Sequence, residues 1–276
     1  MTWLMSVILG FVQGVAEFLP ISSSGHLSLF QTWFGMEEPD NLFNVLLHFA
    51  TLIAVCVVYW RDIADMVAEF FRGAAVLVSR KGSGGGPVPP ARRLVLMVIL
   101  GTLPLLLILP VEDRVEALGA SNVFVGIALL VTGTILFSSD RMARGRKNAR
   151  TATVTDALLV GCAQAVAVIP GLSRSGTTIS AGMALGFDRS FAVRYSFLLS
   201  LPAVVGATLL KVIDVARDGI DTALLPKYLL GMAVAGVVGY FSIRLVNLLA
   251  QKNKFGKFAY YCWAMGVAAI AVEIIL

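Results

Sequence analysis

The chain has 276 residues, 58% of them apolar and 14% charged, with a formal net charge of +5 and a mean hydropathy of +0.84. Soluble domains run at about 45–50% apolar and about 25% charged, so this chain lacks the charge to cover a water-facing surface. A soluble enzyme, a disordered chain and a disulfide scaffold are excluded; Cys56, Cys162 and Cys262 lie far apart in apolar runs and read as small hydrophobes.

The N-terminal run MTWLMSVILGFVQGVAEF has no basic head and carries Gln13 and Glu17 inside it, which is not the pattern of a cleaved signal peptide. Six stretches, about 42–60, 93–111, 121–138, 190–213, 227–249 and 258–276, approach the roughly 20 residues needed to cross about 30 Å of hydrocarbon. Two more, about 2–35 and 154–187, are apolar but broken by Pro, Ser and Gly. The arm after each break is roughly 12 residues, or about 18 Å of helix, too short to cross. The expected fold is an all-α polytopic membrane protein, with six transmembrane helices and two re-entrant helical hairpins.

Basic residues gather in three loops. Residues 61–93 hold Arg61, Arg72, Arg80, Lys81, Arg92 and Arg93; residues 139–153 hold Arg141, Arg144, Arg146, Lys147 and Arg150; residues 250–257 hold Lys252, Lys254 and Lys257. The opposite loops carry Glu37, Glu38, Asp40, Glu112, Asp113, Glu116, Asp214, Asp218 and Asp221. By the positive-inside rule the first set is cytoplasmic. The basic balance is thus a topology signal, and a nucleic-acid partner is not expected. The GSGGGPVPP run at 82–90 reads as a flexible linker and not a phosphate loop, since no Lys-Ser/Thr helix start follows it. An odd number of spans in each half puts 1–41 outside and 139–190 inside, so the two hairpins enter from opposite sides.

The broken segments align without a gap at an offset of 151: QGVAEFLPISSSGHL (13–27) against QAVAVIPGLSRSGTT (164–178). This predicts one membrane domain over 1–276, built of inverted repeats at 1–138 and 154–276. Such repeats place ligand sites near the midplane, where helices are discontinuous. Polar backbone at that depth must be buried in protein or line a wet cavity, so the two breaks are expected to face each other. Each precedes a short helix whose free N–H groups favour an anion. Arg174 adds a planar fork of donors suited to phosphate, surrounded by Ser22, Ser23, Ser24, Ser173, Ser175, Thr177 and Thr178. Any one of these hydroxyls can equally serve as a helix cap. Glu17 and His26 are ionisable at membrane depth, where such residues are costly and usually functional. His26 lies three residues after Ser23 and can serve as base, acid or nucleophile. Asn44, His48 and Thr51 form one polar stripe expected to line the cavity. A dedicated metal site is not specified; a divalent cation, Mg2+ or Ca2+, bridging Glu17 and substrate phosphates stays open.

QGVAEFLPISSSGH and PGLSRSGTT resemble the two signatures of the bacterial undecaprenyl-diphosphate phosphatases of the bacitracin-resistance type, and the resemblance extends over essentially the whole chain. It implies removal of one phosphate from the C55 isoprenyl diphosphate carrier, returning the monophosphate to cell-wall synthesis, in the bacterial plasma membrane. By position, Glu17, Ser23, His26 and Arg174 match the family's catalytic residues, and Gln13, Ser24, Ser173 and Thr178 its supporting ones. Two positions depart from common members: Gln13 stands where many have Glu, and Asn44 replaces an acid. The other lipid-phosphatase superfamily is set aside, because its Lys-Arg-Pro element is absent and Ser180 stands where its His would be. The implied partners are a polyprenyl diphosphate and membrane lipids, with hydrolysis at the extracytoplasmic face. Oligomeric state is unassigned, a homodimer included. The alternative is a polyprenyl-phosphate transporter or flippase with the same midplane anion site.

Overall fold

The computed structural model describes residues 1–36, 41–79, 88–142, 145–218, 223–252 and 255–275. The loop charges Glu37, Glu38 and Asp40, the basic residues Arg80, Lys81, Arg144 and Lys254, and most of the 82–90 linker lie outside the described residues.

The described chain is all helical apart from one isolated bridge between Lys147 and Phe187. Helices α1 (Trp3–Ala16) and α2 (Ser23–Trp33) form the first broken segment, and α8 (Val154–Val166) and α9 (Arg174–Ala184) the second. Between them lie α3 (Asn41–Val58), α4 (Trp60–Ser79), α5 (Pro90–Thr102), α6 (Glu112–Ala117) and α7 (Asn122–Met142); α10 (Arg189–Asp218), α11 (Leu225–Gln251) and α12 (Lys257–Ile275) follow. Among the described residues, five stretches are long and apolar enough to cross a membrane: Pro90–Ala120, Asn122–Ser139, Arg189–Leu210, Leu225–Gln251 and Lys257–Ile275. A sixth exists only if Leu42–Val58 and Trp60–Val76, bent by 86°, are taken together. The protein is a multi-pass membrane protein.

Two expectations need correction. The 93–111 run is not one helix: α5 stops at Thr102, and the chain continues in 3-10 turns over Leu103–Leu107 and Leu109–Val111. Pro104 and Pro110 sit in those turns; each lacks an N–H and its ring crowds the carbonyl four residues earlier, which disfavours regular α-helix there, though α10 runs through Pro202. The 61–93 loop is mostly helix α4. Its Asp62, Glu69 and Arg72 meet Arg194, Arg92 and one another in ion pairs, while Trp60, Val67, Phe70 and Phe71 are exposed.

The two broken segments begin their helices on residues 151 apart, Trp3 and Val154, then Ser23 and Arg174. Thr2 and Thr153 each cap a first helix in a capping box, and Ser22 and Ser173 each cap a second helix by accepting from Gly25 N and Gly176 N. Both second helices end before a glycine of positive φ, Gly35 at 70° and Gly186 at 90°, a backbone glycine adopts without penalty. Packing is reciprocal: α1 lies on α11, α8 lies on α5, and α7 pairs with α12. Bare backbones make these approaches. A Cβ on Gly10 would sit 2.4 Å from Gly231 O, and one on Gly161 would sit 2.4 Å from Gly101 O. At the α7–α12 crossing, Gly126 and Gly266 each face the other's carbonyl. Small residues at the contact are what let membrane helices pack closely.

Candidate active site

Helix α1 runs out beside Glu17, whose N–H still donates to Gln13 O at 3.0 Å. The two side chains therefore share one face, and both are buried. The chain then turns through Pro20 to Ser22, the one described non-glycine residue with positive φ, at 72°. Strained turns of this kind persist only where neighbours over-determine them. Here the Ser22 hydroxyl accepts from Gly25 N at 3.3 Å and donates to Leu172 O at 3.3 Å, tying the first break to the second. Ser23 opens α2, and its hydroxyl donates to Glu17 Oε2 at 2.7 Å.

The second break presents the cation. Ser173 accepts from Gly176 N at 3.0 Å and donates its own N–H to Thr132 Oγ1 at 3.1 Å. That fixes the start of α9, from which the Arg174 guanidinium reaches Glu17 Oε1. Helix α3 adds His48, whose Nδ1 lies 3.1 Å from Glu17 Oε2 and 2.9 Å from Gln13 Nε2. Gln13 Nε2 also donates to Glu17 Oε2 at 3.0 Å. One carboxylate thus holds a guanidinium on one oxygen and faces a serine hydroxyl, an amide and an imidazole on the other.

A cavity of about 380 Å3 adjoins this cluster. Its polar lining includes Glu17, Ser23, Ser24, His48, Thr102, Glu112, Gln164, Arg174 and Thr208; its apolar lining includes Leu105, Leu106, Ile108 and Leu109 from the 3-10 turns and Pro202, Ala203, Val204 and Leu210 from α10.

Of the expected site residues, the structure brings Gln13, Glu17, Ser23, Arg174 and His48 together. The hydroxyl shell divides. Ser23 and Ser24 line the cavity, whereas Ser22 and Ser173 are helix caps and Ser175 bonds to Ser173 at 3.4 Å. Thr178 bonds to Arg174 O and to Ser196 Oγ, and Thr177 is buried with its hydroxyl unpartnered among the described residues. His26 is not brought to the cluster. Its Nδ1 lies 2.8 Å from Ser22 O, its Nε2 lies 2.8 Å from Tyr261 OH, and the two rings stack at 5.6 Å. Asn44 accepts from Gln31 Nε2 at 2.7 Å, and Thr51 bonds back to His48 O; His48 is the member of that stripe that lines the cavity. Sequence reasoning passed over Gln164 as a lining residue and Tyr261 as the partner of His26. The alignment of Gln164 with Gln13 was the available signal for the first; nothing local signalled the second.

Fold and cluster together define a class: a multi-pass α-helical membrane protein with a charge-bearing cavity at the start of two short helices. Residues 6–268 match the family model described as Bacitracin resistance protein BacA, and the chain belongs to that family. Relatives named undecaprenyl-diphosphatase align along nearly their whole length: one from Methanosphaera stadtmanae is 37% identical with 99% of each chain covered, one from Desulfatibacillum aliphaticivorans is 38% identical with 100% of each covered, and one from Desulforapulum autotrophicum is 40% identical with 96% of each covered.

Proposed function

We propose that the protein is an undecaprenyl-diphosphatase of the plasma membrane, hydrolysing undecaprenyl diphosphate to undecaprenyl phosphate and inorganic phosphate and so recycling the carrier for cell-wall synthesis. The observation that carries this reading is the 2.7 Å hydrogen bond from Ser23 to a carboxylate already paired with Arg174, beside a cavity whose remaining wall is mostly apolar but also carries Thr102, Glu112 and Thr208.

Phosphoryl transfer is mostly positioning and charge stabilisation. The diphosphate draws Arg174 from Glu17, and the guanidinium takes up phosphate oxygens. Glu17 Oε2 accepts the Ser23 proton as Oγ bonds to the terminal phosphorus. The bond from that phosphorus to the bridging oxygen breaks, and its electron pair leaves with undecaprenyl phosphate. Water then attacks the phosphoserine, giving its proton through Glu17, and inorganic phosphate departs with the serine hydroxyl restored. His48 adjoins the oxygen that carries the proton. In this scheme His26 holds the Ser22 carbonyl and so the turn that bears Ser23. The prenyl tail lies along the apolar wall, and the first break opens to the extracytoplasmic side, with 1–138 and 154–276 as inverted repeats.

Both oxygens of Glu17 are engaged by protein donors, and the described residues contain no group of three His, Cys, Asp or Glu able to hold a metal. A divalent cation would therefore be held by Glu17 together with the substrate phosphates, and no step above runs through one.

The second reading, a polyprenyl-phosphate flippase, is favoured by the reciprocal packing of the two repeats, a feature of alternating-access transporters. Purified protein in detergent, given undecaprenyl diphosphate and no gradient, separates them. The phosphatase releases inorganic phosphate; a transporter releases none.

A further inference from the structure

We infer that Gln164 is a direct donor to the diphosphate group, a contact that rests on the proposed function and extends it. Gln164 lies on α8, is 1% exposed, and lines the same cavity as Arg174, Glu17 and Ser23. Neither atom of its carboxamide meets a hydrogen-bond partner among the described residues. Buried side-chain amides are nearly always bonded, so a bare one on a cavity wall marks a place where a ligand completes it.

The repeat explains why this amide is bare. Gln13, its counterpart, spends Nε2 on Glu17 and His48. At the same offset of 151 the second repeat has Val168 for Glu17 and Leu199 for His48. Apolar side chains stand where Gln13 has its partners, and the Gln164 amide is left without them. The two repeats thus divide the labour: the first supplies the carboxylates Glu17 and Glu112 and the Ser23 hydroxyl, and the second supplies the donors Arg174 and Gln164. An anion entering the cavity is repelled by Glu17 and Glu112 and drawn to Arg174 and Gln164. An N–H donated to an ionised phosphate oxygen is short and charge-assisted. The ligand class is a diphosphate oxygen, whether on a prenyl lipid or on free pyrophosphate.

The test uses the full-length protein in detergent, with farnesyl diphosphate as substrate and inorganic pyrophosphate and farnesol as competitors. Gln164→Leu removes the donor, and Gln164→Glu keeps the shape but adds a negative charge. Gln164→Leu is expected to raise KM about tenfold with kcat within about threefold of wild type. Gln164→Glu is expected to raise KM further. The inhibition constant of pyrophosphate should rise in parallel, and that of farnesol should not move. An unchanged KM and pyrophosphate constant, a Gln164→Glu variant that binds as well as Gln164→Leu, or an equal shift for farnesol would each overturn the contact. If Gln164→Leu does not fold, the isosteric Gln164→Glu carries the test. Should the wild type hydrolyse no prenyl diphosphate, the proposed function falls by itself. Calorimetric binding of pyrophosphate then decides the contact: binding weakened in Gln164→Glu upholds it, and binding unchanged there or absent in the wild type refutes it.

Discussion

In the proposed mechanism Glu17 has two tasks, to hold Arg174 at rest and to take a proton from Ser23 during transfer. Gln fills the same space and performs neither, so Glu17→Gln should lower phosphate release by at least about 100-fold, the size of an acid–base contribution, with the fold retained. Wild-type-like release would remove Glu17 from the chemistry. Arg174→Lys should fail nearly as badly as Arg174→Ala, because Lys cannot present two parallel N–H donors to phosphate and is more strongly hydrated. Release within about threefold of wild type, roughly 0.65 kcal/mol, would make Arg174 only a charge partner of Glu17. His26 poses a different question. Gln can hydrogen-bond in its place but cannot carry a proton, so His26→Gln should keep activity within about tenfold while His26→Ala loses more; equal loss in both would return His26 to proton transfer. At this scale the sequence made Gln13, Glu17, Ser23 and Arg174 legible, because each is a polar residue in an apolar run. It gave no sign that His48 lies beside Glu17 or that His26 stacks on Tyr261. The three-residue spacing from Ser23 fixes only a helical face, whereas the partner that holds His26, Tyr261, lies 235 positions away.

At the scale of elements, the two broken segments were readable from their Ser- and Gly-rich turns and from the gapless offset, and the structure begins α1 and α8, and α2 and α9, on equivalent residues. The break after Thr102 was less readable, since hydropathy stays high through Pro104 and Pro110 and hides the missing N–H groups. The close helix approaches were not readable at all, because a glycine in a membrane helix does not name its partner. They are testable. Gly161→Ala puts a Cβ 2.4 Å from a backbone oxygen, and overpacking of this kind costs about 1–3 kcal/mol. Gly236→Ala meets only Ala50 O at 3.5 Å and gains helix propensity of about 1 kcal/mol. Thermal unfolding in detergent should therefore fall for the first and hold or rise for the second. The reverse order would refute the close α8–α5 contact.

For the whole molecule, the proposed inverted topology sends equivalent positions to opposite sides of the membrane. Trp33 and Ala184 are equivalent under the offset, and both are exposed at the ends of their short helices. With Cys56, Cys162 and Cys262 replaced, Trp33→Cys should react with an impermeant thiol reagent only from outside, and Ala184→Cys only from the cytoplasm. Reaction of both from one side would dissolve the inverted repeat and the extracytoplasmic placement of the site with it. The central claim is that the cluster at the two helix starts hydrolyses a prenyl diphosphate with Ser23 as its nucleophile. The most direct measurement is inorganic phosphate released from undecaprenyl diphosphate by purified wild type and Ser23→Ala, in detergent and without a gradient. The account predicts one phosphate for each lipid monophosphate formed by the wild type, and release at least about 100-fold slower from Ser23→Ala; no release from the wild type, or undiminished release from Ser23→Ala, would contradict it.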